Sequence, residues 1–511
     1  NLNVMVGHEY YDSRAYVLSA TKTNIFSSTS SELNEAIVDG KNAGSYNQRY
    51  NNEGYLGRVQ YDYEGRIFGS ASFRRDASSR FHPDHRWGSF WSLGGAWIIS
   101  KENWFKSSWI DMLKVKASIG SQGNDNINNF LYSDMYSIVN SNDKVGISFS
   151  SKGNKDITWE TQTNFNAGIE FDIFKRLSGS IEYYRRTTTD MLMAYTTAPS
   201  IGYTGYYANL GDLYNSGLEL DLQLNILNRR NLSWDFNVNL STIKNRITKL
   251  DDEHKTSYYY TTDGKRIDGY SSGSFFIAEG QSIYTWNIKD YAGVNPETGE
   301  SMWWKNTYQL DENNNLVLDA NGYPIWTGRE KTTSYADADY YVTEESTVPK
   351  WQGGFGTKVR FYGFDLSVNC TYQLGGKTLD ASYASFMASP SSSLGGRNFH
   401  KDLLDAWTPE NSTSNIPRFQ YGDLYSSGTS TRFLTSSSYL NINNINFGYT
   451  FPTSITKKLM LNSLRLYVAC ENVVYFSARK GFDPRLSYSS ASNSTTYSPM
   501  RTISGGLTVQ F

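Results

Sequence analysis

Three scarcities each remove a class of protein. No apolar run approaches the ~18 consecutive residues that a membrane-spanning helix needs. A helical membrane protein is excluded, but a β-barrel is not, because barrel strands need only about 10 alternating residues and leave a weak hydropathy signal. Only two cysteines occur, Cys370 and Cys470, far apart in the chain. They offer neither a disulfide framework nor a metal-ligand spacing, so no metal or other cofactor is expected. Charge of one sign is also lacking: 48 Lys and Arg stand against 50 Asp and Glu. The basic stripe of a nucleic-acid binder is absent, and no nucleic-acid partner is expected. The opening residues do not read as a secretory leader either. The chain opens on "NLNVMVGHEYYDS", already strand-like rather than basic and then apolar. The expectation is that a leader was removed or that this is the later part of a longer protein.

What is abundant is aromatic: 39 Tyr, 26 Phe and 13 Trp in 511 residues. They fall on a period of two. In "LSWDFNVNLS", Leu232, Trp234, Phe236, Val238 and Leu240 alternate with Ser233, Asp235, Asn237, Asn239 and Ser241. Successive strand side chains point to opposite faces, so this is a strand with one apolar and one polar face. "GLELDLQLNI", "FDLSVNCTY", "NFNAGIEFDI" and "LKVKASIG" repeat the pattern; "YLNINNINFGY" breaks phase near Asn443 and Asn444, as a β-bulge would. The alternation predicts fourteen strands, near 2–21, 50–63, 66–77, 87–100, 112–121, 158–173, 176–194, 215–228, 231–249, 351–361, 364–378, 436–451, 463–477 and 501–511. Tight polar turns ("YEGR", "FKR", "NRRN", "FYGF") join some of them. Long Ser-, Thr-, Asn-, Gly- and Tyr-rich loops, notably 251–349 and 375–433, join others.

Alternation by itself suits a soluble sandwich as well as a barrel. Strand length, aromatics at strand ends such as Tyr61, Tyr63 and Trp234, and the terminal "GGLTVQF" with Val509 and Phe511 favour lipid on the apolar face. Short turns on one side and long loops on the other have the same implication. The expected fold is all-β: a transmembrane antiparallel β-barrel with short periplasmic turns and long extracellular loops.

The residues also resemble a family. "YLGRVQYDYEGRIFGSASFRRDASSRF" with "RWGSFWSLGGAWIIS", then "MLKVKASIGSQGND", "ITWETQTNFNAGIEF", "NLGDLYNSGLELDL", "YAGVNPETGE", "VPKWQGGFGTKVRFYGFDLSV", "LLDAWTPEN", "YLNINNINFGYTFP" and "LRLYVACENVVYFSARKGFDPRLS" are similar, in order, to motifs of the SusC/RagA-type TonB-dependent transporters. The resemblance covers nearly the whole chain. It implies active import across the outer membrane of a Gram-negative bacterium, with oligosaccharides as the commonest cargo and peptides in some members. It implies a SusD-like surface lipoprotein as lid, TonB as the energy-coupling partner, outer-membrane lipid around the wall, and a dimer of transporter–lipoprotein pairs. It implies no enzyme activity. The departure is at the front: such barrels have about 22 strands around a plug. Residues 1–511 are therefore expected to be the C-terminal part of the barrel, without the plug, the TonB-contacting segment and the first strands. Loops near 122–157 and 195–214 are candidates for lid contact.

The smaller motifs have plain readings. "HPDH" (82–85) lies between Arg80 and Arg86, which disfavour a metal; Arg74, Arg75 and Asp76 form a charge network; "NPETGE" is a hairpin turn closed by Gly299; and "NFHKDLLDAWTPEN" predicts a short loop helix. No catalytic constellation stands out. The informative residues are loop aromatics: Tyr203, Tyr206 and Tyr207; Tyr258, Tyr259 and Tyr260; Tyr284, Trp286 and Tyr291; Trp303 and Trp304. Flanked by Asn, Asp and Ser, such rings suit the C–H face and hydroxyls of a sugar. They suit a peptide nearly as well, and the alternative is that they pack the loops together. Tyr203, Tyr206, Tyr207, Tyr258, Tyr259, Tyr284, Trp286, Trp303 and Trp304 are the expected substrate contacts. A non-transporting outer-membrane adhesin, a passive porin and a secreted β-rich carbohydrate enzyme are the competing readings.

Overall fold

The computed structural model describes all residues except 28, 30, 31, 143, 198, 253, 254, 392–397 and 486–497. The end of the "GFDPRLS" motif, 486–487, lies outside the described residues. Each of the fourteen expected strands forms: β1 (Leu2–Ile25), β2 (Ala36–Tyr63), β3 (Ile67–Ser78), β4 (Trp87–Ile98), β5 (Ile110–Asn124), β6 (Glu160–Ile173), β7 (Leu177–Thr189), β8 (Asp212–Arg229), β9 (Leu232–Thr242), β10 (Trp351–Phe361), β11 (Phe364–Leu374), β12 (Tyr439–Thr450), β13 (Ser463–Ser477) and β14 (Thr502–Gln510). The chain divides into two compact units: Asn1–Trp97, Ala117–Phe165 and Thr187–Asp212; and Ile98–Lys116, Asn166–Arg186 and Leu213–Phe511.

In the first unit β1, β2, β3 and β4 pair antiparallel in chain order. β2 starts at Ala36, well before the expected residue 50. Its early half, "AIVDGKNAGSYNQRY", has no apolar alternation to reveal it; pairing with β1, from Leu2 opposite Tyr61 to Ile25 opposite Ala36, sustains it. In the second unit β8 to β14 pair antiparallel in chain order. The bulge falls at Asn443, where the register with both neighbours slips between Ile442 and Asn444. The Thr371 hydroxyl donates to Asn443 Oδ1 at 2.9 Å.

The short turns follow from local chemistry. Type I′ turns match strand twist and need two positive φ angles. Glu64 and Gly65 adopt φ 53° and 62° between β2 and β3. Between β6 and β7, Phe174 and Lys175 adopt 55° and 54° without a glycine; the Lys175 N–H donates to Asp111 Oδ2 at 2.6 Å, which helps hold the bend.

The two faces of the strands differ as the alternation predicts. Apolar rows lie open: Phe73, Trp91, Leu93 and Val59 in the first unit, and Ile169, Ile181, Trp234, Phe361, Leu466, Val468, Ile503 and Leu507 in the second. The polar rows carry ordered charge. Lys116 bridges Glu170 (2.7 Å) and Glu182, and Lys114 joins Glu170 at 3.0 Å. In the first unit Arg74 Nε donates to both Asp76 oxygens at 2.7 Å and its Nη2 to Glu9 at 2.9 Å, a network at a strand end as expected for Arg74 and Asp76, while Arg75 lies over the Trp87 ring at 5.5 Å.

Hydrophobic cores sit in the loops instead. The segment 251–349, expected as a long loop, is itself β-rich. Ser257–Tyr260, Arg266–Ser272, Phe275–Ile277, Thr285–Lys289 and Tyr340–Ser346 close into a small barrel, and Tyr291–Val294, Ser301–Tyr308 and Trp326–Thr332 form a three-stranded sheet.

Candidate functional site

The candidate aromatics fall into two sets, one per unit. Tyr203, Tyr206 and Tyr207 belong to the first. Leu192–Thr196 pairs with Gly205–Asn209, which sets Tyr206 opposite Tyr195 with ring centroids 5.5 Å apart. Tyr203 meets Tyr206 edge-on at 6.3 Å. Tyr207 packs on a core of Phe81, Phe90, Ile127, Leu131, Ile157 and Trp159. Trp159 donates its indole N–H to Arg86 O at 2.8 Å, and Asn209 Nδ2 donates to Thr158 O and Asp190 O. Asp125 ties the loop base together by accepting from the Tyr50 hydroxyl (2.8 Å) and the Ser78 hydroxyl (2.6 Å). Tyr203 and Tyr206 are half-buried.

The second set is dispersed through the loop barrel and its neighbouring sheet, and burial sorts it. Trp286 is 0% exposed and Trp303 2%. Trp286 sits in a core with Ile288, Leu379, Met387 and Phe433, its indole N–H donating to Lys377 O at 3.0 Å. Trp303 meets Tyr335 edge-on at 5.2 Å. Both rings therefore pack the loops, the alternative reading of these aromatics, and Tyr260 is buried likewise. In the strand "SMWWKNTY", Ser301, Trp303 and Asn306 are buried while Met302, Trp304 and Lys305 are half-buried. Tyr258, Tyr259, Tyr284 and Trp304 are half-buried. Cations cover two of these faces: Arg266 lies 4.9 Å from the Tyr258 ring centre and Arg329 4.6 Å from that of Trp304. Such cation–π contacts occupy the surface a sugar would stack on. Tyr259 meets Phe276 edge-on at 5.2 Å and Tyr340 at 6.2 Å, and Tyr284 meets Phe275 edge-on at 5.5 Å.

Sequence reasoning missed the charged groups beneath these rings. Lys289 is buried, its Nζ bonded to Tyr335 O and 4.2 Å from the Tyr335 ring centre. Burial pulls its pKa below the usual lysine range. The turn Asn295–Glu300 is the expected hairpin: the Asn295 side chain accepts from the Glu297 and Thr298 N–H groups, and Gly299 has φ +74°. A side chain at Gly299 would strike the Trp407 ring, whose indole N–H donates to Pro296 O at 3.1 Å. Arg418 reaches this hairpin at Glu300 (3.0 Å) and also lies 3.6 Å from Asp423. The expected loop helix is a 3-10 turn, Lys401–Asp405.

The loop 122–157 projects a hairpin, Met135–Ser141 with Lys144–Ser151. Ile138, Val145 and Ile147 are 82%, 81% and 76% exposed. Two strands alone are marginal in water, and apolar exposure of this degree marks an interaction surface.

The description "TonB dependent receptor-like, beta-barrel" is that of the family whose model matches residues 1–473. TonB-dependent receptor P3 of Formosa agariphila is 26% identical over 479 residues, 89% of this chain and 45% of that protein. TonB-dependent receptor SusC of Bacteroides thetaiotaomicron is 25% identical over 482 residues, 89% of this chain and 43% of that protein. The structure of the RagAB peptide transporter shares the fold, with TM-score 0.81 and 24% identity over 100% of this chain and 53% of that chain. This chain spans about half the length of the curated relatives it matches.

Proposed function

The chain belongs to the TonB-dependent receptor-like β-barrel family, whose members lie in the outer membrane of Gram-negative bacteria, and from that premise we propose that it is the C-terminal part of the barrel of an active oligosaccharide importer. TonB drives the import through the N-terminal part of the longer protein. A SusD-like surface lipoprotein serves as its lid, in a dimer of transporter–lipoprotein pairs. The observation that carries transport is the pairing of long strands, apolar on one face and open there, with large aromatic-rich loop domains. Lipid covers the first; ligand and lid engage the second.

For the lid, the support is the exposed hairpin Met135–Ser151. Ile138→Ser, Val145→Ser and Ile147→Ser together leave the transporter in the outer membrane and abolish co-purification of the lipoprotein. Undiminished co-purification removes this loop from the interface. For the cargo, the support is that Tyr203, Tyr206, Tyr259 and Tyr284 are half-buried rather than buried in a core, and aromatic rings flanked by polar residues suit a sugar face. A peptide is the second reading, since rigid amphipathic tyrosine surface suits a peptide nearly as well as a sugar. Recovery of the chain from the soluble fraction would instead support a secreted enzyme.

A further inference from the structure

We propose that the open apolar face of β2, β3 and β4 holds one phosphorylated glycolipid of the outer leaflet, with an acyl chain in a groove of the wall and a phosphate against Arg75. In the cross-strand register Val59, Ala71 and Leu93 form one row, and Tyr61, Gly69 and Gly95 the next, toward the β2–β3 turn. The small residues of these rows floor a groove of about 440 Å³, within the range of small-ligand sites. Ile119 of β5 and Phe165 of β6 line it on the side away from β2. The room is plain at the glycines: a Cβ on Gly69 would meet nothing within 4 Å, and one on Gly95 only Phe68 O at 3.7 Å. A chain seated in a groove touches wall on its sides as well as beneath, so it gains more dispersion contacts than on a flat wall.

Charge identifies the occupant. Arg75 alternates with Phe73 and Ala71, so it stands on the same open face, about 13 Å along β3 from Ala71 at ~3.3 Å per residue. Its register neighbours are Tyr55 and Ser89, neither of them acidic. Among the described residues it forms no ion pair. Glu53, diagonal to it, accepts from the Tyr55 hydroxyl at 2.8 Å and meets His8 at 3.2 Å. Farther toward the loops Asp12 is shared by two guanidinium groups, Arg14 at 3.2 Å and Arg49 at 3.0 Å. A guanidinium on a lipid-facing wall is tolerated at the interface, where head groups lie. Tyr55 and Trp87, stacked at 6.2 Å, mark that level as girdle aromatics do. The long loops rise from this end of the strands, so the leaflet is the outer one. Its phosphate matches the guanidinium fork with two parallel hydrogen bonds. The span from Arg75 to the groove is about half of the ~30 Å hydrocarbon core, the reach of one leaflet's chains. Any strand added beside β1 lengthens the wall sideways and leaves this face outward.

The proposal rests on this face meeting lipid and is independent of the cargo. Full-length transporter in detergent is stripped of lipid, then mixed with lipid A bearing two phosphates or with the same lipid after removal of its phosphates, and read by native mass spectrometry. One phosphorylated molecule is expected to stay bound, and the dephosphorylated form to be retained far less. Arg75→Gln is expected to weaken retention roughly tenfold or more, as loss of a charge-assisted contact does. Gly69→Leu, which the open space at Gly69 admits, fills the groove and is expected to weaken retention several-fold while the barrel still assembles. Equal retention of the two lipids overturns the proposal, as does retention unchanged in either variant. A transporter dimer that Gly69→Leu dissociates overturns it too, because a second copy then occupies the groove.

Discussion

At single residues the loop aromatics separate by burial into rings that hold the fold and rings that remain available. Trp286→Ala removes the largest side chain of its core and the hydrogen bond to Lys377 O. Its expected cost is about 3–5 kcal/mol, read as faster proteolysis within 257–346. Tyr259→Ala and Tyr284→Ala are expected to leave that segment protected and to weaken ligand binding; loss of protection would make them packing residues too. Asp423 gives a pH signature. Burial pushes its carboxyl above the ordinary carboxylate range, with Arg418 opposing. The folded loop therefore favours the neutral form, and this contribution is present below the ordinary carboxylate pKa and lost as pH rises through the raised one. Asp423→Asn keeps the neutral state at every pH. Hydrogen exchange of 418–428 is expected to match the parent near pH 3 and to be slower than the parent at about pH 7. Equal exchange at both would contradict the shift. Which aromatics are buried was not legible from composition, because ring burial depends on the loop strands, and short strands such as "SMWWKNTY" carry no clean alternation.

Strands were the most legible elements, because a face left to lipid keeps its period over ten residues or more. Alternation located all fourteen, and the phase break at Asn443 located the bulge. It failed at 36–49, where a polar hairpin arm is sustained by its partner rather than by its own pattern, and in 251–349, where strands of three to eight residues fall below what periodicity resolves. The β6–β7 turn carries a strain that the sequence shows plainly once φ is known. Two non-glycine residues in the left-handed region cost about 1 kcal/mol each. Lys175→Gly is expected to stabilise by about 0.5–1 kcal/mol in urea unfolding. A loss would mean that the lysine side chain contributes more than the backbone costs.

For the molecule as a whole, family membership fixes the barrel type and the membrane, and the open apolar rows explain why a chain of mean hydropathy −0.54 belongs there: half of every strand faces away from lipid. The lid, the coupling to TonB and the cargo stand as proposals. The cargo decides among them. Full-length transporter with its lid lipoprotein, solubilised in detergent, is titrated calorimetrically with a panel of oligosaccharides of differing linkage and a panel of short peptides. The expected result is micromolar binding to one glycan family, weakened by Tyr259→Ala and Tyr284→Ala. Binding to peptides alone would contradict the glycan reading, and silence from both panels would contradict import of either.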